Sequence, residues 1–407
     1  MEAGKVQYYV YVTTEKKLIL NITNAVEDLG WEENEKELSC RISFTMYNAK
    51  YENQKLSSLI KIGQLVTIKA NWGSGAKTIV TGYIKEAEQD TTKSSESYKI
   101  TAYDCLFNMQ KSQDNVYFAK GKKTKAALTS IFKNWGIKID KYTGPDVKHS
   151  KLVYKNKNLS DIVLDILNEA VKKGGKKSIV RASGSKVSIL AVGSNEEVYQ
   201  FNSSNCIESK YKISIVSMVT RVKIVASENK NKAKVEAVVN GKTSYGVLQK
   251  IQTHAKSDSL SDAKKAAKAI LAEHGDPTTT RTVQAPDVPP IYKGDRVHIK
   301  AGSLNGEYTV KSIQHNAATG KMTMEVEKFK ESTSAESKKK KTTKKKTKYK
   351  VTAKSGLNLR TGPNATIIAT MPYGTTVTYN NKKNGNWLNV TYGSKTGYAY
   401  NQWLKKV

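Results

Sequence analysis

Chemistry needs reactive side chains at workable spacings, and few stretches of this sequence offer them. In Asp104-Cys105-Leu106-Phe107 a thiol follows a carboxylate, and His149 lies downstream as a possible base. A cysteine nucleophile requires a base held against it, and nothing in the local sequence orients His149 towards Cys105. A thiol at the end of a strand otherwise behaves as a small buried hydrophobe, which is the reading taken here. Gly73-Ser74-Gly75-Ala76-Lys77-Thr78 has the outline of a phosphate loop. It lacks the glycine directly before the lysine and the upstream glycine, and it lies between strands rather than ahead of a helix. A hairpin turn is therefore expected. The five histidines, His149, His254, His274, His298 and His315, fall into no metal-ligand spacing. No pair of carboxylates stands out as acid and base. No catalytic residue, cofactor or metal is expected, and the chain is read as a non-enzyme.

A length of 407 residues allows about three domains. The hydrophobic fraction, 38%, can fill several small cores. Basic residues number 68 against 36 acidic ones, a net charge of +32 that reads as spread over every region. That balance suits an acidic partner, whether nucleic acid, an anionic wall polymer or an acidic protein surface, and it suits a soluble lysine-rich background equally well. The three cysteines, Cys40, Cys105 and Cys206, share no short spacing and fall among predicted strands. They fit a reducing compartment without disulfides or structural zinc. No apolar run of signal-peptide length opens the sequence, and none approaches the 18 residues of a membrane span, so no membrane association is expected.

Period-2 alternation places strands at 7–12, 17–22, 38–47, 64–70, 77–84 and 98–103. The alternation of Leu38, Cys40, Ile42, Phe44 and Met46 is the cleanest. Between 121 and 190 the pattern turns α+β. One helix carries Ala127, Leu128, Ile131, Phe132 and Trp135 up to Gly136, and a second carries Ile162, Val163, Ile166, Leu167 and Ala170 up to Gly174-Gly175. Short strands follow at 178–182 and 186–191. Strand periodicity returns at 213–226 and 233–239. A helix is predicted over 260–274, capped by Ser259 and stopped at Gly275 and Pro277. A Thr- and Pro-rich loop follows at 278–290, then strands in Gly294-Asp295-Arg296-Val297-His298-Ile299, Gly306-Glu307-Tyr308-Thr309-Val310-Lys311-Ser312-Ile313-Gln314-His315 and Met322-Thr323-Met324-Glu325-Val326-Glu327.

This succession resembles the baseplate hub proteins of phage tails and phage-like bacteriocins, of the XkdQ-like or late-control-D type. In that family an alanine-rich helix precedes a Gly-Asp strand, and a strand ending in histidine and a last alternating strand close the domain. Leu38-Ser39-Cys40, Gly63-Gln64-Leu65-Val66 and Ala102-Tyr103-Asp104 match the pieces of the family's first barrel. The resemblance covers roughly 7–327, with His315 as the strand-end histidine in a structural role. It implies a trimer whose subunits each give two barrels to a ring that continues the tail tube. Contacts with the tail tube protein, the spike and the baseplate wedge proteins follow from it, as does a place in a virion or tailocin particle assembled in the host cytoplasm.

Residues 331–348 are Ser, Thr, Lys, two Glu and the single apolar Ala335, with eight lysines between 338 and 348. Such a run cannot bury a core, so a disordered spacer that trypsin cuts first is expected. Beyond it, Gly356-Leu357-Asn358-Leu359-Arg360-Thr361-Gly362-Pro363, then Gly374-Thr375-Thr376-Val377, Trp387-Leu388-Asn389-Val390 and Gly397-Tyr398 resemble a bacterial SH3 domain, SH3b. Five short strands could close such a barrel of about 55–60 residues, with Trp387 and Val390 in its core. This segment has seven lysines, one arginine and no Asp or Glu. Tyr373, Tyr379, Tyr392, Tyr398, Tyr400 and Trp403 are the aromatics that could line a groove. The cell-wall-binding candidates are Tyr373, Tyr392 and Tyr398, with Asn358 and Arg360 at the groove edge, although Arg360 is as well explained as a turn residue.

The fold class expected is mainly β with an α+β insertion: two hub β-barrels plus a small C-terminal SH3-like β-barrel. The boundaries read as 1–115 for the first barrel, 116–200 for the insertion, 201–330 for the second barrel with its helix, 331–349 for the linker and 350–407 for SH3b. The function expected is a structural baseplate hub that binds bacterial peptidoglycan or a wall polymer through SH3b. The alternative is a peptidoglycan hydrolase targeted by SH3b. Its model is the NlpC/P60 peptidases, whose nucleophile motif Asp104-Cys105 resembles without the Ser-Gly that should follow. Specific nucleic-acid binding is not expected, since no recognition motif accompanies the charge.

Overall fold

The computed structural model describes residues 6–73, 75–226, 234–254, 259–330 and 347–407. The chain forms two compact units, Met1–Ser332 and Thr333–Val407. Most of the stretch read as a linker, 331–346, lies outside the described residues.

The first unit is built on one 13-stranded sheet. Its first β-region contains the strands Gln7–Thr13, Ile19–Asn21, Val26–Glu33, Arg41–Tyr47, Leu65–Asn71, Lys77–Thr91 and Glu96–Tyr103. Alternation decides which side chains turn inward. Ile42, Phe44 and Met46 are buried from one strand, and Val66, Ile68 and Ala70 from another. Each of these side chains larger than alanine, taken fully out of water, contributes about 1.5–3 kcal/mol before entropy is counted. Leu38 and Cys40 are buried just ahead of their strand rather than in it. None of the three cysteines lies in a strand; each sits in a turn or loop beside one.

The second β-region adds Tyr199–Asn202, Glu208–Ser214, Thr278–Pro286, Arg296–Ala301, Leu304–Asn316 and Lys321–Lys328. Three elements here differ from the sequence reading. The stretch 278–286 is a strand, not a loop, and pairs with both Glu208–Ser214 and Lys321–Lys328. Its threonines are β-branched and suit a strand, and its proline stands at the last position, where a missing N–H is tolerated. The strand read over 213–226 is broken into Glu208–Ser214 and Arg221–Ala226, which join different sheets. Val26–Glu33, unread as a strand, connects the two regions: it pairs with Arg41–Tyr47 on one side and Leu304–Asn316 on the other. Gly30 makes that second pairing possible, because a Cβ there would come within 2.8 Å of the His315 carbonyl oxygen.

The α+β part packs the helices Thr124–Asn134 and Leu159–Lys172 over the three-stranded sheet of Lys138–Tyr142, Lys186–Ala191 and Ser178–Ser183. Gly136 takes φ 68°, the left-handed turn that ends the first helix. Their shared core also takes in Leu38, Leu106 and Met109. The helix Leu260–His274 begins at Ser259, whose side chain accepts from the Asp262 N–H. It does not pack on the second β-region. It covers a separate mixed sheet of Val235–Asn240, Arg221–Ala226 and Gln249–His254, over a small core of Val222, Ile224, Ala263 and Ala267.

Among its described residues the second unit has seven strands rather than five, in the order Ile367–Met371, Leu357–Arg360, Lys395–Tyr400, Trp387–Tyr392, Thr376–Asn384, Lys348–Val351 and Leu404–Lys406. Val351, Leu359, Met371, Val377, Val390 and Ala399 form its core.

Candidate functional site

Two constellations stand out, one where the β-regions of the first unit meet and one on the surface of the second unit. The first is built around His315. Its Nδ1 lies 2.5 Å from Asp287 Oδ1 and its Nε2 lies 3.1 Å from the Ile291 carbonyl oxygen. Both ring nitrogens thus lie within hydrogen-bond distance of an oxygen. The ring stacks on Trp31 with centroids 4.5 Å apart, and the Tyr8 hydroxyl donates to the other oxygen of Asp287. Burial, and then the charge of Asp287, hold the Tyr8 phenol well above its ordinary range. Tyr8 and Trp31 come from the first β-region, Asp287 and His315 from the second, so the cluster is a buried polar bolt across their junction.

The loop Tyr292-Lys293-Gly294-Asp295 extends the bolt to the α+β part. The Lys293 N–H donates to Glu33 Oε2 at 2.8 Å, and its Nζ donates to the carbonyls of Asn34 and Glu37. Arg181 pairs with Asp295 at 2.8 Å, donates to the Lys293 carbonyl and lies over the Tyr292 ring. These hydrogen bonds satisfy groups that are costly to bury alone. The arrangement ties the loop to the first β-region and to the α+β part.

The catalytic decoys separate. Burial first, and the charge of Asp104 next, push the Cys105 thiol up to about 12, which leaves no useful thiolate near neutrality. His149 is committed elsewhere: its Nε2 is 2.8 Å from Thr124 Oγ1 and its Nδ1 is 3.4 Å from Glu169. The glycines at 73 and 75 lie in the connection between the antiparallel strands Leu65–Asn71 and Lys77–Thr91. Among the described residues no cluster of three or more metal-ligating side chains occurs, and no helix is long and apolar enough to cross a membrane.

On the second unit, strand alternation sorts the candidates onto two faces. Leu357, Leu359, Leu388, Val390, Gly397 and Ala399 turn inward. Asn358, Arg360, Asn389, Tyr398 and Tyr400 alternate with them and turn outward. Arg360, Tyr398 and Asn389 stand side by side across three strands, and Tyr400 stands beside Trp387. Trp387, read as core, is instead half-buried on this outer face, with its ring 5.2 Å from that of Tyr400 in an edge-to-face pair. Its position next to inward Leu388 is the signal that the sequence reading passed over. Arg360 Nη1 donates to the Ala365 carbonyl at 2.8 Å, so it also braces its turn, and Asn358 accepts from Thr370. Tyr392 shares the inward phase and packs against the core. Tyr373 is 62% exposed on a turn after Ile367–Met371. The structure therefore groups Asn358, Arg360 and Tyr398 with Trp387 and Tyr400.

A family model described as YQBQ-like matches residues 29–328, and one described as bacterial SH3 domain matches residues 355–405. Among solved structures, the 43 kDa tail protein of prophage MuSo2 from Shewanella oneidensis is similar, with a TM-score of 0.56 and 12% identity, over 79% of this chain and 98% of that one. A tail protein from Neisseria meningitidis MC58 is similar too, with a TM-score of 0.51 and 14% identity, over 78% of this chain and 95% of that one. No curated protein matches the sequence. At these identities the likeness is one of fold.

Proposed function

The chain belongs to the YQBQ-like family and carries a bacterial SH3 domain, and on that premise we propose that it is the structural hub of a phage tail or phage-like bacteriocin baseplate. The observation that carries the proposal is the single sheet running through both β-regions and bolted by the buried cluster of Tyr8, Trp31, Asp287 and His315. A body of that kind bears load between neighbours and turns nothing over. In this reading 1–115 and 201–330 are the two hub barrels, 116–200 is an insertion, 331–349 is a tether and 350–407 is the wall-binding module.

Three copies would form a ring that continues the tail tube, receives the spike and meets the wedge proteins. The particle, a virion or tailocin, would be assembled in the host cytoplasm. The SH3 module would bind peptidoglycan or a wall polymer through Asn358, Arg360 and Tyr398, joined by Trp387 and Tyr400. Tyr373 would touch ligand from its turn, and Tyr392 would support the surface from beneath. Aromatic faces suit sugar or peptide, and a domain without acidic residues is drawn to anionic polymers.

Two measurements test the reading. Sedimentation of the full chain, together with imaging of assembled tails, should give a trimer at the end of the tube. Purified host walls should pull the full chain out of solution. A chain that is monomeric in solution and absent from the tail tip overturns the hub. A chain that ignores walls at low and moderate salt overturns the wall-binding role.

A further inference from the structure

Among the strand edges of the first unit that carry no partner among the described residues, two are of opposite character. Lys77–Thr91 pairs with Leu65–Asn71 only as far as Tyr83. Beyond that point 85–91 is held on one side by Glu96–Tyr103 and is open on the other. Residues 86–91 are all exposed. After a bulge at 84–86 the alternation is regular, so Glu86, Glu88 and Asp90 project from one face. None of the three is in an ion pair among the described residues. The one cation directly across the ladder on that face is Lys99, opposite Glu88.

The other edge is Glu208–Ser214, the terminal strand of the 13-stranded sheet, paired only with Thr278–Pro286. None of its seven side chains is buried. Lys210, whose Nζ lies 2.9 Å from Glu208 Oε2, and Lys212 project from one face. Tyr211, 47% exposed, and Ile213, 58% exposed, project from the other, with Arg281 over the Tyr211 ring. In each edge every second residue turns its N–H and C=O towards solvent. A long open edge with exposed apolar residues is a template for another strand, and natural proteins normally shorten or cover such an edge.

We propose that these edges are the two halves of one interface between copies of this chain, with 85–91 of one copy added as a strand to Glu208–Ser214 of the next. The proposal rests on the ring assembly argued above and names the surface through which the copies join. An antiparallel register with Lys212 opposite Glu88 and Lys210 opposite Asp90 also brings Ile213 beside Ala87. It leaves Glu208 beyond the last carboxylate, opposite Thr92. Cross-strand pairs of opposite charge favour this register, and a slip of one residue would set the lysines on the wrong face. The contact is heterologous, since different patches meet, so it closes into a ring only when the rotation between copies allows.

Reciprocal charge reversal in the full chain tests the interface. Glu88→Lys with Asp90→Lys, and separately Lys210→Glu with Lys212→Glu, should each weaken self-association at least tenfold by sedimentation velocity. All four changes together should restore it to within about threefold, the sign of a paired contact rather than of misfolding. Hydrogen exchange in the assembled wild type should slow at both edges. Wild type that assembles while both reversed variants assemble equally well overturns this interface and leaves the ring standing. Loss in each variant without recovery in the combination also overturns it. Wild type that stays monomeric at every concentration overturns the ring reading and this interface together.

Discussion

Asp287 shows how much one side chain can carry when it is placed between two β-regions. Its carboxylate accepts from Tyr8 and His315, both of them largely out of water. Asp287→Ala leaves both a buried imidazole nitrogen and the Tyr8 hydroxyl without their partner, and each such unsatisfied group costs about 1–3 kcal/mol. Tyr8→Phe removes only a hydrogen bond to a charged group, about 1.5–3 kcal/mol. Urea unfolding of the first unit should rank the two in that order, and equal losses would place the weight on the Tyr8 hydroxyl's bond to Asp287 rather than on the His315 pair. Asp104 gives a pH signature. Burial pushes its carboxyl up to about 6, against the hydrogen bonds from the Cys40 and Leu106 N–H groups and the Ser39 hydroxyl. A raised acid stabilises the fold fully below its unfolded value, about 3.9, and that contribution disappears as pH climbs through 6. Relative to Asp104→Asn, the wild type should therefore gain up to about 3 kcal/mol on going from pH 7 to pH 4. A difference between the two proteins that does not change with pH refutes the assignment. The structural role of His315 was legible from its place at a strand end. Its partners were not. Asp287 lies in a stretch that reads as loop, and Trp31 lies in Val26–Glu33, where four acidic residues of eight disguise a strand. Glu33 is buried there with the Lys293 N–H donating to its carboxylate.

Among elements, the helices were the most legible, because a 3.6-residue apolar period and a stop signal specify them locally. Leu260–His274 has the predicted ends, yet the sequence did not say which sheet it covers. Its partner strand Gln249–His254 is too polar to alternate visibly, and the pairing with Arg221–Ala226 is parallel and non-local. In the SH3 unit, period-2 alternation carries more information than residue type. Trp387 invites a core assignment by its size, but it stands one residue from inward Leu388 and so faces out. Tyr392 stands two residues from inward Val390 and packs on the core. The consequence is a separation of function from stability. Trp387→Ala should weaken wall pelleting at least fivefold while costing about 0.5–1.5 kcal/mol from the lost pair with Tyr400. Tyr392→Ala should lower the melting temperature of the unit more than Trp387→Ala does. The reverse ranking in thermal unfolding would move the binding surface to the other side of the barrel.

On the scale of the whole molecule, the positive charge is not spread over every region, as a first count suggests. Residues 1–112 hold fourteen basic and fourteen acidic residues, so the entire excess of +32 lies beyond them. The rest divides into 38 basic and 20 acidic residues over 113–330, and 16 basic and two acidic over 331–407. This partition sets two explanations of wall binding against each other. If charge alone sufficed, a chain ending at residue 330 would still carry +18 and would still bind anionic walls. If the aromatic face of the SH3 unit supplies recognition, that shortened chain should lose at least tenfold in wall binding at about 0.15 M salt, where the Debye length is about 8 Å and scattered charges act weakly. It should assemble as the full chain does, since both open edges, 85–91 and Glu208–Ser214, remain. Raising the salt should weaken the full chain's binding without abolishing it, because stacking on Trp387, Tyr398 and Tyr400 is not screened. A shortened chain that pellets with walls as efficiently as the full one assigns the interaction to the basic body. The SH3 unit would then be a surface for another protein of the particle.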